Sequence, residues 1–175
     1  TSASGEGHWD DEPASQSLAE SESEVSAGER GQRFGQRPVT VLLTGLPGSG
    51  KSTVARGLER WLFDVGRAVV VIDGQNLRLG LSRDLGFDDG GRSENLRRAA
   101  EVARLFNDAG LICILAVVAP KAAVRERAAE LVGRERFLTI HLAVTDETRA
   151  ARMKEANESQ VETEQVTDFE PPESP

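Results

Sequence analysis

The stretch Gly45-Leu46-Pro47-Gly48-Ser49-Gly50-Lys51-Ser52 constrains the chain more than any other. It matches at every fixed position the pattern in which a glycine-rich turn ends on a lysine and a hydroxyl residue. That pattern works only between a strand and a helix, and its flanks comply. Val39–Thr44 is a short apolar run suited to a buried strand, and Thr53–Leu62 reads as helix. Glycines let successive backbone N–H groups turn inward onto phosphate oxygens, and the new helix adds the positive end of its dipole. Lys51 then reaches the outer phosphates of a nucleotide, and the Ser52 hydroxyl is placed to ligate magnesium. The bland alternative is a glycine-rich turn that merely joins strand to helix.

Strand and helix patterns alternate beyond the loop. Val54, Leu58, Trp61 and Leu62 fall on one helical stripe, expected to face a sheet. Ala68–Ile72 is a continuous apolar run, as a parallel strand covered on both faces requires. It ends at Asp73, in the crevice where open α/β sheets bind ligands. There a carboxylate can orient metal-bound water or accept a proton; a turn cap before Gly74 is the simpler alternative. Residues 75–91 are polar and glycine-punctuated, a substrate loop or a short helix plus loop. A long amphipathic helix over 92–109 follows, with Leu96, Ala99, Ala100, Ala103, Leu105 and Phe106 on its buried side. Strands over 111–118 and 137–144 alternate with helices over 121–132 and 146–156, and Thr145 caps the last of these. The fold class is therefore α/β, a three-layer parallel sheet with helices on both faces, in P-loop nucleotide-binding architecture.

Charge divides the chain into three. Residues 1–37 hold eight acidic residues and three arginines, and residues 155–175 hold seven acids and no lysine or arginine. Between them, eighteen basic residues face fourteen acidic ones. Residues 1–37, with isolated His8 and Trp9, read as a disordered tail or interdomain linker; 38–156 form the folded domain; 157–175 are an acidic tail or a lid remnant. A mildly basic domain suits a small anionic ligand better than a nucleic acid. Cys113 is the single cysteine, so neither an internal disulfide nor a Cys-rich metal site is expected, and a cytoplasmic location follows. No apolar stretch approaches the ~20 residues a membrane span needs. The acidic N-terminus is no secretory signal, and Thr1 in place of Met reads as a fragment.

Four further stretches carry a family resemblance. They are Asp73-Gly74-Gln75-Asn76-Leu77-Arg78-Leu79-Gly80-Leu81, Asp84-Leu85-Gly86-Phe87, Arg92-Ser93-Glu94-Asn95-Leu96-Arg97-Arg98 and Glu101-Val102-Ala103-Arg104-Leu105-Phe106. With the glycine-rich loop, and with Phe169-Glu170-Pro171-Pro172-Glu173-Ser174-Pro175 near the end, the chain resembles the adenylylsulfate kinases. That resemblance implies transfer of the γ-phosphoryl group of ATP, with Mg2+, to the 3′-hydroxyl of adenosine 5′-phosphosulfate, in sulfate assimilation. It implies that Gly45, Leu46, Pro47, Gly48, Ser49, Gly50, Lys51, Ser52 and Thr53 hold the ATP phosphates. Ser52 and Asp73 would hold the metal, and Lys51 and Asp73 would be catalytic. Arg78, Arg92 and Asn95 would hold adenylylsulfate, with Arg98 as helper, and Phe87 would stack on its adenine. A second copy of the chain or a fused sulfate adenylyltransferase is the expected protein partner, with no nucleic acid and no membrane.

The departures matter as much. Gln75 stands where the family has an aspartate, and Ala119 where it has a serine before proline. The family's Arg-Asp-Pro-Lys-Gly-Leu-Tyr lid reads Arg152-Met153-Lys154-Glu155-Ala156-Asn157, shortened and acidified, with Arg152 and Lys154 as its remnants. No second aromatic is present to sandwich the adenine. Two other functions therefore stand beside the kinase. One is a catalytically impaired domain that binds adenylylsulfate or ATP as a regulatory or hand-over module of a larger sulfurylase-type protein. The other is a kinase for a different hydroxyl acceptor, which the arginine-rich acceptor half disfavours.

Overall fold

Apolar runs of five residues, rich in Val, Ile and Leu, pair into one parallel sheet. The computed structural model describes residue 21, residues 23–155, residue 166 and residues 168–172. Its strands are β1 (Thr40–Thr44), β2 (Val69–Asp73), β3 (Ile112–Ala116) and β4 (Phe137–His141), in the spatial order β2-β3-β1-β4. Helices α1 (Ala27–Phe34), α2 (Lys51–Asp64), α3 (Gly74–Arg78), α4 (Asp89–Asp108), α5 (Ala122–Val132) and α6 (Asp146–Glu155) complete it. β3 is the hinge of the register, because Ala116 is level with both Leu43 of β1 and Asp73 of β2. The glycine-rich loop and Asp73 thus emerge at the same edge of the sheet.

Side-chain alternation sorts the core into two layers. Leu42, Cys113 and Leu115 pack with Ile72, Leu96, Ala99, Ala100, Ala103 and Val132 under α4 and α5. Val41, Leu43, Ile114 and Ala116 pack with Ala55, Leu58 and Leu62 of α2 on the opposite face. Each fully buried leucine or isoleucine contributes about 1.5–3 kcal/mol. A buried polar pair ties β1 to α4: the Thr40 Oγ1 hydroxyl donates to Asn107 Oδ1 at 2.7 Å, and Asn107 Nδ2 donates to the Leu111 carbonyl at 3.0 Å. Cys113 is wholly buried, which pushes its thiol up to about 12 and leaves it an inert hydrophobe.

Several expectations shift. The α2 stripe is Ala55, Leu58 and Leu62, while Val54 and Trp61 are exposed, Trp61 by 61%. The phosphate loop fixes where α2 begins and hence its rotation, and alanine fits where the helix lies closest to the strands. Leu105 likewise faces solvent. Leu138 and Ile140 of β4 share a face with Val41 and Leu43 but are exposed, because α2 lies over the other three strands. Of residues 1–37, expected to be a tail, residues 27–34 form α1. Ser26 Oγ accepts from the Glu29 N–H, and the Glu29 carboxylate accepts from the Ser26 N–H, a complete capping box. Gln36 then pins this segment to the sheet by donating to the carbonyls of Ala68 and Gly110, each at 2.8 Å. His8 and Trp9 lie outside the described residues, as does the 157–165 stretch of the expected lid remnant. Among the described residues no helix is long and apolar enough to cross a membrane.

Candidate active site

The loop 45–50 joins β1 to α2 and is folded tightly on itself. Gly45 has φ 151°, and a side chain there would stand 2.7 Å from the Leu142 carbonyl and 2.8 Å from Ser49 Oγ. Gly48 has φ 79°, and a Cβ would meet Arg149 Cγ of α6 at 2.9 Å. Both positions demand glycine for conformation and for space. Lys51 Nζ donates to the carbonyls of Gly45 (2.8 Å) and Leu46 (2.9 Å) and lies 3.4 Å from Ser49 Oγ. Its carbonyl partners carry no formal charge, so burial pulls its ammonium down to about 8, against a smaller upward effect of Asp73. An anion placed in the loop would return that charge to its ordinary state. Leu46 and Pro47 form the tip, Gly50 caps α2 in a left-handed conformation, and Thr53 is exposed in its first turn.

Ser52 Oγ donates to Asp73 Oδ2 at 2.5 Å. The other Asp73 oxygen, Oδ1, accepts from the Gln75 N–H at 2.9 Å and caps α3. Asp73 thus fills the turn-cap role in a buried side chain that also meets Ser52. One hydroxyl and one carboxylate in contact suit a hard cation that keeps several waters and takes its other ligands from phosphate, which is how magnesium binds. Among the described residues no group of three His, Cys, Asp or Glu side chains could hold a metal by itself. Gln75 is exposed on α3, two residues beyond Asp73.

Arg78, Phe87, Arg92 and Asn95 stand on α3, α4 and the connection between these helices. The Arg78 guanidinium lies 4.5 Å from the Phe87 ring centre and donates to the Gly86 carbonyl at 3.1 Å. Its Nε is buried without a hydrogen-bond partner. Burial, and then the charge of Arg92, hold the Arg78 cation below its ordinary value. Two arginines brought together at some electrostatic cost make a site that an anion would relieve. Asn95 is also buried, with Oδ1 unpartnered, beside Gly74. Arg98 is engaged elsewhere. It donates to both Asp84 oxygens (2.6 and 2.8 Å), to Glu94 (2.8 Å) and to the Leu81 carbonyl (2.8 Å), locking the 81–84 turn to α4.

Two arginines of α6 border the site: Arg152, expected as a lid remnant, and Arg149, which the residue pattern did not bring forward. Arg149 and Arg152 share a face of α6, three residues apart, and press on the loop. Arg152 Nη1 donates to the Ser49 carbonyl at 3.2 Å, while Arg149 packs on Gly48. Thr145 caps α6 as expected, accepting from the Thr148 N–H. His141 of β4 stacks on Phe169 at 5.1 Å between ring centres. Arg125 is 95% buried and ties the β3–α5 turn to the chain's last described segment.

Known proteins match this layout. The family profile described as adenylylsulphate kinase matches residues 37–170. A bifunctional enzyme CysN/CysC of Rhodopirellula baltica is 52% identical over 143 residues, which are 82% of this chain and 22% of that protein. An adenylyl-sulfate kinase of Shewanella halifaxensis is 42% identical over 140 residues, 80% of this chain and 68% of that protein. Among solved structures, the Mycobacterium tuberculosis APS kinase CysC in complex with AMPPNP and APS superposes with a TM-score of 0.71 at 34% identity. That match covers 79% of this chain and 86% of the other.

Proposed function

The chain belongs to the adenylylsulphate kinase family, and on that premise we propose that it transfers the γ-phosphoryl group of ATP to the 3′-hydroxyl of adenosine 5′-phosphosulfate. The observation that carries the proposal is the meeting of two halves at one sheet edge. A phosphate loop with a half-buried lysine and a Ser52–Asp73 pair stands on one side, and the half-buried Arg78 and Arg92 with buried Asn95 on the other. Backbone N–H groups of residues 45–53 other than Pro47, together with Lys51 Nζ, would cradle the ATP phosphates. Ser52 and Asp73 would hold magnesium, which neutralises charge on the phosphate oxygens. Asp73 would orient the acceptor hydroxyl and take up its proton as the oxygen attacks in line. Arg78, Arg92 and Asn95 would bind the phosphosulfate end, and Phe87 would border the adenine. Arg149 and Arg152 supply cationic cover on the nucleotide side, where the lid sequence is shortened. A second copy of the chain or a fused sulfate adenylyltransferase is the proposed protein partner, and the cytoplasm the proposed setting.

The bifunctional relative favours a second reading, a binding or hand-over module within a longer protein. Coupled ADP release separates the two. Release that needs adenylylsulfate and is lost in Lys51→Ala supports the kinase. No release above that control, with adenylylsulfate still bound by calorimetry, supports the module.

A further inference from the structure

Residues 168–172 return to the fold and lie across the turn between β3 and α5. The Glu170 N–H donates to the Pro120 carbonyl at 2.9 Å. Arg125 donates through Nη1 to the carbonyls of Ala119 (2.8 Å) and Pro120 (2.9 Å), and through Nη2 to the carbonyl of Glu170 (2.6 Å). The Glu170 carboxylate also accepts from the Ala122 N–H at 2.7 Å. It thereby caps α5, whose own N-cap residue, Lys121, provides no side-chain cap. Phe169 stacks on His141, and the Arg125 guanidinium lies 5.9 Å from the Phe169 ring centre. Lys121 is 3.7 Å from Asp168 and 3.8 Å from Glu170, exposed pairs that add little.

What this segment holds in place is unusual. Ala119 has φ 44°, the one left-handed non-glycine residue among those described. An alanine adopts that conformation at a cost of roughly 1 kcal/mol or more, and keeps it only where its surroundings over-determine it. The same turn faces the acceptor half. Ala119, Pro120, Lys121 and Val124 line a small cleft against Asp89, Arg92 and Ser93 of α4. It also touches the strand that feeds the phosphate loop, since Thr44 Oγ1 donates to the Val118 carbonyl.

We propose that Asp168–Pro172 is a strap that holds the Ala119–Lys121 turn in its left-handed form and so sets the wall opposite Arg92. Glu170 is then a positioning residue for acceptor binding. The assignment rests on the kinase function proposed above.

Glu170→Ala and Glu170→Gln in the full chain test it. The Glu170 side chain is half-exposed, so neither change disturbs the core. Losing the cap in Glu170→Ala should speed amide exchange in residues 118–126 about 5-fold, the size of one lost capping hydrogen bond. It should raise the KM for adenylylsulfate by a similar factor, with kcat and the KM for ATP within about twofold of the parent. Glu170→Gln keeps an oxygen facing the Ala122 N–H and should restore both readouts. Unchanged exchange in Glu170→Ala overturns the strap. So does an equal rise in both KM values with a lowered Tm, which marks general destabilisation, and so does a glutamine variant no better than alanine. If the parent chain turns over no adenylylsulfate, the proposed function falls. The exchange comparison then decides the strap alone: faster exchange in the alanine variant keeps it, and equal exchange removes it.

Discussion

ATP binding should draw a proton from solution at alkaline pH, and Lys51 should be its destination. In the free chain the ammonium faces carbonyl oxygens in a half-buried niche and titrates at about 8, well below its ordinary 10.5. Phosphate oxygens in the loop should return it to its ordinary value or above. The free chain then holds the proton on about nine-tenths of molecules at pH 7, half at pH 8 and a tenth at pH 9, while the complex holds it on nearly all. Uptake should be about 0.1 proton per ATP at pH 7, about 0.5 at pH 8 and about 0.9 at pH 9. Calorimetry in buffers of different ionisation enthalpy measures this directly, and work above pH 8 avoids the titration of ATP itself. Lys51→Arg keeps a permanent charge and should show no uptake. The sign also sets the free chain's stability. The unfolded lysine binds the proton more tightly, so stability rises as pH climbs from about 8 towards 10.5. Uptake that stays flat from pH 7 to pH 9, or that persists in Lys51→Arg, refutes the placement of Lys51.

Gln75→Asp should raise turnover several-fold by restoring a carboxylate beside Asp73, and an unchanged or lower rate in the ADP assay would show that Gln75 is no handicap. Arg78→Ala removes a charged donor from the anion site and should raise the KM for adenylylsulfate about 10- to 100-fold while leaving that for ATP near its parent value. Thr40→Val strands Asn107 Oδ1 in the core and should cost about 1–3 kcal/mol, read as a fall in the denaturant midpoint at constant slope.

The parts legible in the sequence were those set by short-range chemistry. The loop 45–52, the apolar runs of the four strands and the cap at Thr145 each announce themselves within a few residues. The Ser26–Glu29 capping spacing was equally local, yet an acidic, serine-rich background concealed it. The rotation of α2 was not legible, because the loop ahead of the helix sets it; Trp61 therefore faces solvent while Ala55 is buried. Long-range polar contacts were least legible. Nothing near Arg125 indicates that its guanidinium meets the backbone of Glu170, or that Arg149 covers Gly48 from a separate helix. Arg98 illustrates the same limit: it lies in the right stretch of α4, but its donors meet Asp84, Glu94 and Leu81.

On the proposed function, this one chain joins a phosphoryl donor site to an adenylylsulfate site. Phosphorus-31 NMR of a mixture of the chain, ATP, magnesium and adenylylsulfate tests it most directly. A new phosphomonoester resonance on the 3′-oxygen of the acceptor, growing in step with ADP and absent with Lys51→Ala, is the predicted result. ADP without that resonance, or no change in either nucleotide, would contradict it.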